Sequence, residues 1–199
     1  MGKSFHPCLY QSNPTSPFSE HIRSVRTHLV QRHLRRGQKS LLITSCWPGE
    51  GKTTVAINLA AALCEFGLRT LLIDADLRSR RLTRLLLPCG SGGNSPLPTD
   101  GSGPMVLGAW APTEFPPHEA LTRPDYVANI ISYSQGFQAV LTDSPALSMC
   151  SDAHLTQPWV DGAVIVVSRA RFQGVSEGNL VEDLREHGID VVGTLLTEA

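Results

Sequence analysis

Short apolar runs alternate along this chain with stretches in which apolar residues recur every three or four positions. Residues 41–43, 69–74, 105–109, 137–142, 163–168 and 191–196 form the runs, and each predicts a buried strand. Between them, residues 53–66 repeat Val55, Leu59, Leu63 and Phe66 at helical spacing, with Gly67 following where a helix would stop. Residues 78–87 suit a short helix, 118–133 a longer one, and 175–187 repeat Val175, Leu180 and Leu184. Apolar strands alternating with amphipathic helices predict an α/β domain. Its doubly wound, mostly parallel sheet would be flanked by helices on both faces.

The ends and one loop break this rhythm. Residues 1–18 are rich in Pro and Ser and predict an irregular arm, leaving 19–199 as the domain. Ser19 offers an N-cap for a helix to about residue 36, with Glu20 in its first turn and Ile22, Val25 and Leu29 as its apolar stripe. Residues 88–104 hold Gly, Ser, Pro and Asn with almost no large apolar residue, which predicts a flexible loop without packed structure.

Composition narrows the class without naming it. A length of 199 residues allows one α/β domain with a sizeable core, and 41% hydrophobic residues with a net charge of -1 suit an ordinary soluble protein. No apolar run is long enough to span a bilayer, and the polar N-terminus is unlike a signal peptide. Cytoplasmic location and no direct membrane insertion are therefore expected. Cys8, Cys46, Cys64, Cys89 and Cys150 are scattered and odd in number, which predicts reduced thiols. Arg23, Arg26, Arg32, Arg35 and Arg36 follow Glu20 with no further acid before Lys39, so that helix could meet an acidic partner, anionic lipid or nucleic acid, or simply face solvent.

The chemistry begins where the first strand ends. Cys46-Trp47-Pro48-Gly49-Glu50-Gly51-Lys52-Thr53-Thr54 stands between an apolar strand and an amphipathic helix, the context of a phosphate-binding loop. Gly49 and Gly51 let backbone N–H groups turn onto a polyphosphate. Lys52 reaches the terminal phosphates, the Thr53 hydroxyl can ligate Mg²⁺, and the helix N-terminus adds partial positive charge. The whole segment from Pro48 to Thr54 is the expected nucleotide-binding element. This makes the fold a P-loop NTPase domain.

Two further segments bring carboxylates to the ends of strands, where open α/β sheets bind ligands. Asp74 and Asp76 close one strand and Asp143 closes another. Mg²⁺ takes oxygen ligands and retains waters, so Asp143 is the expected metal acid and Asp76 the acid that orients or deprotonates an attacking hydroxyl. The structural alternatives are helix capping for Asp74 and Asp76 and a turn for Asp143.

Pro48–Thr54, Asn58-Leu59-Ala60, Asp74-Ala75-Asp76-Leu77-Arg78 and Asp143-Ser144-Pro145 occur in that order. Together they resemble the catalytic domain of bacterial tyrosine kinases of capsule and exopolysaccharide assembly, with Walker A, A′ and B motifs. Glu20, Arg23 and Arg26 match that family's Glu-x-x-Arg-x-x-Arg oligomerisation motif, and the likeness extends through Ser151-Asp152-Ala153, Asp161-Gly162 and Gly193. The resemblance implies ATP and Mg²⁺ as cofactors, with Lys52, Asp74, Asp76 and Asp143 as catalytic residues and Thr53, Asp76 and Asp143 around the metal. It further implies a homo-oligomeric ring through Glu20, Arg23 and Arg26, a separate transmembrane co-polymerase as activator at the inner face of the membrane, and no nucleic-acid partner.

Three features depart from that family. The sequence holds only Tyr10, Tyr126 and Tyr133 and stops at Ala199, so no C-terminal tyrosine cluster is expected; Tyr10 on the arm could be an acceptor, with a plain exposed aromatic as the more common case. Thr197 stands where the family tends to have Asn against the base, and Ser79-Arg80-Arg81 replaces a basic and proline run. Two other readings compete with the kinase. One is a ParA/MinD-type ATPase, disfavoured by Trp47 in place of that group's signature lysine; the other is a nucleotide-binding scaffold.

Overall fold

A computed structural model describes residues 8–88, 95–99, 103–110, 115–172 and 174–198. Seven strands form one sheet in the order β3-β4-β2-β5-β1-β6-β7. These are β1 (Ser40–Thr44), β2 (Thr70–Asp74), β3 (Leu97–Pro98), β4 (Met105–Leu107), β5 (Ala139–Asp143), β6 (Gly162–Ser168) and β7 (Val191–Thr197). Every pairing is parallel except β3 with β4. Residues of β1, β2, β5 and β6 are buried throughout, because helices cover both faces of a parallel sheet. That explains why these strands read as continuous apolar runs.

On one face, α3 (Lys52–Glu65) lies over the sheet beneath α2 (Pro17–Arg32). Enclosure on two sides accounts for a helix buried almost all round, from Val55 to Leu63. Ile22 and Leu29 of α2 are buried on it and Val25 packs beside them. On the other face, α5 (Pro117–Thr122), α6 (Pro124–Ser134) and a 3₁₀ segment (Ser151–Trp159) cover β2 and β5, while α7 (Val175–Glu186) covers β6. Register aligns the carboxyl ends of the central strands: Asp143 stands beside Ile43 on one side and Asp74 on the other. Chain connections leave β1 toward β2 and β5 toward β6, so the crevice between β1 and β5 is the switch point where such sheets bind ligands.

Several boundaries differ from the sequence-based expectation. The arm is not irregular throughout: α1 (Leu9–Ser12) forms a helical turn, and Cys8 and Tyr10 are buried in the core beside α3. Tyr10 N–H donates to Asn58 Oδ1 at 2.7 Å, and Tyr10 is 3% exposed, contrary to the expected surface aromatic. Helix α2 starts earlier, since Ser16 Oγ accepts from Ser19 N–H and Pro17 fills the first helical position, where a missing N–H costs nothing. Ser19 is instead buried, donating its hydroxyl to the Asn13 carbonyl. The helix ends at Arg32, and a separate 3₁₀ turn (Leu34–Arg36) closes on Gly37 at φ 88°.

The single helix expected over 118–133 is two, because Pro124 forces Arg123 into an extended conformation at ψ 132°. Helix α4 (Arg81–Leu86) is shorter than expected, since residues 77–79 form a turn. In the 88–104 loop, β3 pairs with β4 and Leu97 packs on the core, which corrects the expectation there. Residues 89–94 and 100–102, including Cys89, lie outside the described set. Cys46, Cys64 and Cys150 carry free thiols.

Candidate active site

The loop from Ser45 to Gly51 wraps the end of β1 and passes into α3. Gly49 and Gly51 adopt φ 83° and 91°, a left-handed geometry that favours glycine. At Gly51 the backbone angle alone makes that demand, since a Cβ would make ordinary contact with Thr197 Cγ2 at 3.5 Å. Ser144 N–H, Leu147 N–H and Ser148 N–H donate to the carbonyls of Ile43, Ser45 and Cys46, lacing the segment after β5 to the loop.

Glu50 is the brace of this loop. Its carboxylate is fully buried and accepts from Trp47 N–H and from Ser168 N–H, each at 2.9 Å. Its carbonyl accepts from Thr197 Oγ1 at 3.0 Å. The side chain thus ties the loop to β6, and the carbonyl ties it to β7. Glu50→Ala removes the acceptor of two backbone N–H groups and is expected to cost about 2–4 kcal/mol. Chemical denaturation measures this; a loss below about 0.5 kcal/mol would contradict the brace.

Inside the loop, Lys52 Nζ donates to Ser45 Oγ at 2.9 Å, and Ser45 Oγ donates to the Trp47 carbonyl. Lys52 is largely buried, which lowers its pKa, while Asp143, Asp76 and Glu50 oppose the shift. Thr53 Oγ1 donates to Asp143 Oδ2 at 2.8 Å. The other oxygen, Asp143 Oδ1, is buried with no hydrogen-bond partner. Desolvation first, and then the nearby Asp74, push the Asp143 carboxyl up to about 8.

Asp74 and Asp76 have different roles. Asp74 is fully buried; Oδ2 accepts from Thr83 N–H at 2.9 Å and Thr83 Oγ1 at 2.6 Å, while Oδ1 accepts from Asp76 N–H. Burial still lifts its pKa to about 6. Asp74 therefore anchors α4 and the turn that carries Asp76. Asp76 is half-buried and accepts from Ser79 N–H and Ser79 Oγ, so the capping alternative holds in part. Next to it, Arg78 grips Asp152 through two bonds of 2.9 and 3.2 Å, and Asp152 is 2% exposed. Sequence reasoning gave Asp152 no role. Its only signal was the Ser-Asp-Ala triplet.

An orphaned buried carboxylate oxygen beside a threonine hydroxyl and a lysine, at a helix N-terminus lined with backbone N–H groups, fits a magnesium-bound polyphosphate. The matching family model, the CobQ/CobB/MinD/ParA nucleotide binding domain, covers residues 41–198. The chain belongs to this nucleotide-binding family. Among curated relatives, the tyrosine-protein kinase YwqD of Bacillus subtilis is 29% identical over 94% of this chain and 84% of its own length. The succinoglycan biosynthesis transport protein ExoP of Rhizobium meliloti is 31% identical over 86% of this chain, which spans only 23% of ExoP. The kinase domain of Escherichia coli tyrosine kinase ETK superposes with a TM-score of 0.83 over 98% of this chain and 82% of its own, at 23% identity, which shows the shared fold. The resemblance read in the sequence to bacterial tyrosine kinases of exopolysaccharide assembly thus stands.

The helix motif sits less freely than expected. Glu20 pairs with Arg23, whose guanidinium lies 5.1 Å from the centre of the Tyr10 ring. Arg26 packs over Phe66 and donates to Glu65 and to the Ala62 carbonyl, with 15% of its side chain exposed. Arg26 thus joins α2 to α3 within the chain, whereas the Glu20 side chain is 63% exposed.

Proposed function

We propose that this chain transfers the γ-phosphoryl group of Mg-ATP to a tyrosine hydroxyl, in the service of exopolysaccharide assembly or export. The observation that carries the reading is the Lys52–Thr53–Asp143 cluster with its unpartnered Asp143 Oδ1, in a chain related to tyrosine-protein kinases. Pro48 to Thr54 would hold the phosphates through main-chain N–H groups, with Lys52 against the terminal ones. Thr53, Asp143 and, through water, Asp76 would hold Mg²⁺. When bound, the ion neutralises charge on the β- and γ-phosphates. The acceptor oxygen bonds to the γ-phosphorus, the bond to the bridging oxygen of ADP breaks, and the hydroxyl proton passes to Asp76, the half-exposed acid of the cluster. Asp74 keeps that acid in place.

Incubation with γ-labelled ATP and Mg²⁺, with and without a peptide acceptor, tests this directly. Label on tyrosine is expected. Label released only as free phosphate would favour a ParA/MinD-type ATPase, and neither product would favour a nucleotide-binding scaffold.

The exposed end of α2 supports a ring of subunits that carries phosphate between neighbours, docked on a separate membrane protein at the inner face of the membrane. Among the described residues no helix is long and apolar enough to cross a membrane. Glu20→Lys reverses an exposed charge without touching the core. Sedimentation with ATP and Mg²⁺ is expected to show smaller species than the unsubstituted chain, and an unchanged size distribution would refute the interface.

A further inference from the structure

One group of ligating side chains lies outside the phosphate loop and its carboxylates. His154 projects from the 3₁₀ segment toward the C-terminal end of α7, where Asp183 and His187 stand one helical turn apart. His154 Nε2 is 2.7 Å from Asp183 Oδ2, and His187 Nδ1 is 3.5 Å from Asp183 Oδ1. The two imidazoles stack with centroids 4.0 Å apart and planes 20° from parallel. One ligating atom from each of the three residues lies within 4.8 Å of the others.

Three features separate this cluster from an ordinary surface ion pair. Among the described residues no Lys or Arg pairs with Asp183, whose ion-pair partners are the two histidines. His154 is the inner member, with 11% of its side chain exposed, and its Nδ1 is buried without a partner. His187 Nδ1 also lies 2.8 Å from the Asp183 carbonyl, a contact in which Nδ1 donates and Nε2 is left as the ligating atom.

We propose that His154, Asp183 and His187 form a site for a borderline divalent cation of the zinc type, with water completing the shell. Two ring nitrogens and one carboxylate are the donor set such ions take, and they exclude Mg²⁺, which prefers oxygen. Ligands about 2 Å from zinc stand roughly 3.3 Å apart and are approached in the plane of each ring, so closure requires the half-exposed His187 ring to rotate out of its stack on His154. The bound ion pins the Ser151–Trp159 segment to α7. Asp152 of that segment holds Arg78 beside Asp76, so the cation stiffens the support of the acid turn.

Competition titration of the full chain with Zn²⁺ against a chromophoric chelator, in millimolar Mg²⁺ and excess ADP, reads the site. One Zn²⁺ per chain is expected. His187→Ala and the isosteric Asp183→Asn are each expected to weaken binding about tenfold or more. Co²⁺ is expected to give the visible bands of a four-coordinate nitrogen and oxygen site with no thiolate charge-transfer band. Zn²⁺ is also expected to raise the melting temperature of the unsubstituted chain and leave that of His187→Ala unchanged. Equal zinc affinity in chain and variants, absence of binding, or a thiolate band from the free cysteines would overturn the proposal.

Discussion

Asp143→Asn is expected to abolish Mg²⁺-dependent turnover while making the nucleotide-free chain more stable above neutral pH. Burial lifts the Asp143 carboxyl from an ordinary 3.8 to about 8, and Asp74 from 3.8 to about 6. The folded chain therefore binds protons that the unfolded chain releases between about pH 4 and pH 8. Stability from this source is full below about pH 4 and falls as pH rises through that window. Asn keeps an acceptor for the Thr53 hydroxyl and removes the titrating charge. The variant is expected to melt several degrees higher at pH 8, on the order of 2 kcal/mol, and to show a flatter pH dependence. Turnover is expected to fall about 10³-fold, because the carboxylate that would hold the metal is gone. Melting curves from pH 5 to pH 8 without Mg²⁺, alongside rates with it, check both halves. A variant less stable than the parent at pH 8 would contradict this reading of the buried acid.

Lys52→Met carries the second large effect. Met matches the length and apolar stem of a largely buried lysine but places no charge among Ser45, Asp143 and Asp76. Removing one preorganised positive group from a phosphoryl-transfer site costs about 10²–10³ in rate. Steady-state turnover of ATP is expected to fall by at least that factor. The fold is expected to persist, because desolvation already disfavours the lysine charge; circular dichroism and a thermal melt verify it. A folded variant with more than about a tenth of the parent rate would remove Lys52 from the mechanism.

What the sequence showed and what it hid follow from the range of the forces involved. The central strands were legible because burial on both faces leaves an unbroken apolar run, as in Leu41–Ile43 and Leu71–Ile73. The loop was legible because turn, glycines, lysine and threonine are adjacent in the chain. Its brace was not. Glu50 reads as a polar loop residue until Ser168, 118 positions away, meets its carboxylate. Arg78 and Asp152, 74 positions apart, escaped for the same reason. Tyr10 looked exposed because its segment is rich in Pro and Ser, yet the buried Asn58 in the middle of α3 supplies the acceptor that docks it. An asparagine inside an otherwise apolar helix was the one local sign of that contact. Arg26 was expected at an interface from the family motif; its contacts with the Phe66 ring and the Ala62 carbonyl at the end of α3, far away in the sequence, gave no local sign.

Titration calorimetry with ADP, in Mg²⁺ and then in chelator, tests most directly whether loop and buried acid act as one site. Binding of one ADP per chain is expected in Mg²⁺, weakened about tenfold or more when the ion is removed, since Thr53 and Asp143 would contribute only through the metal. Equal affinity with and without Mg²⁺, or no binding in either, would contradict the account.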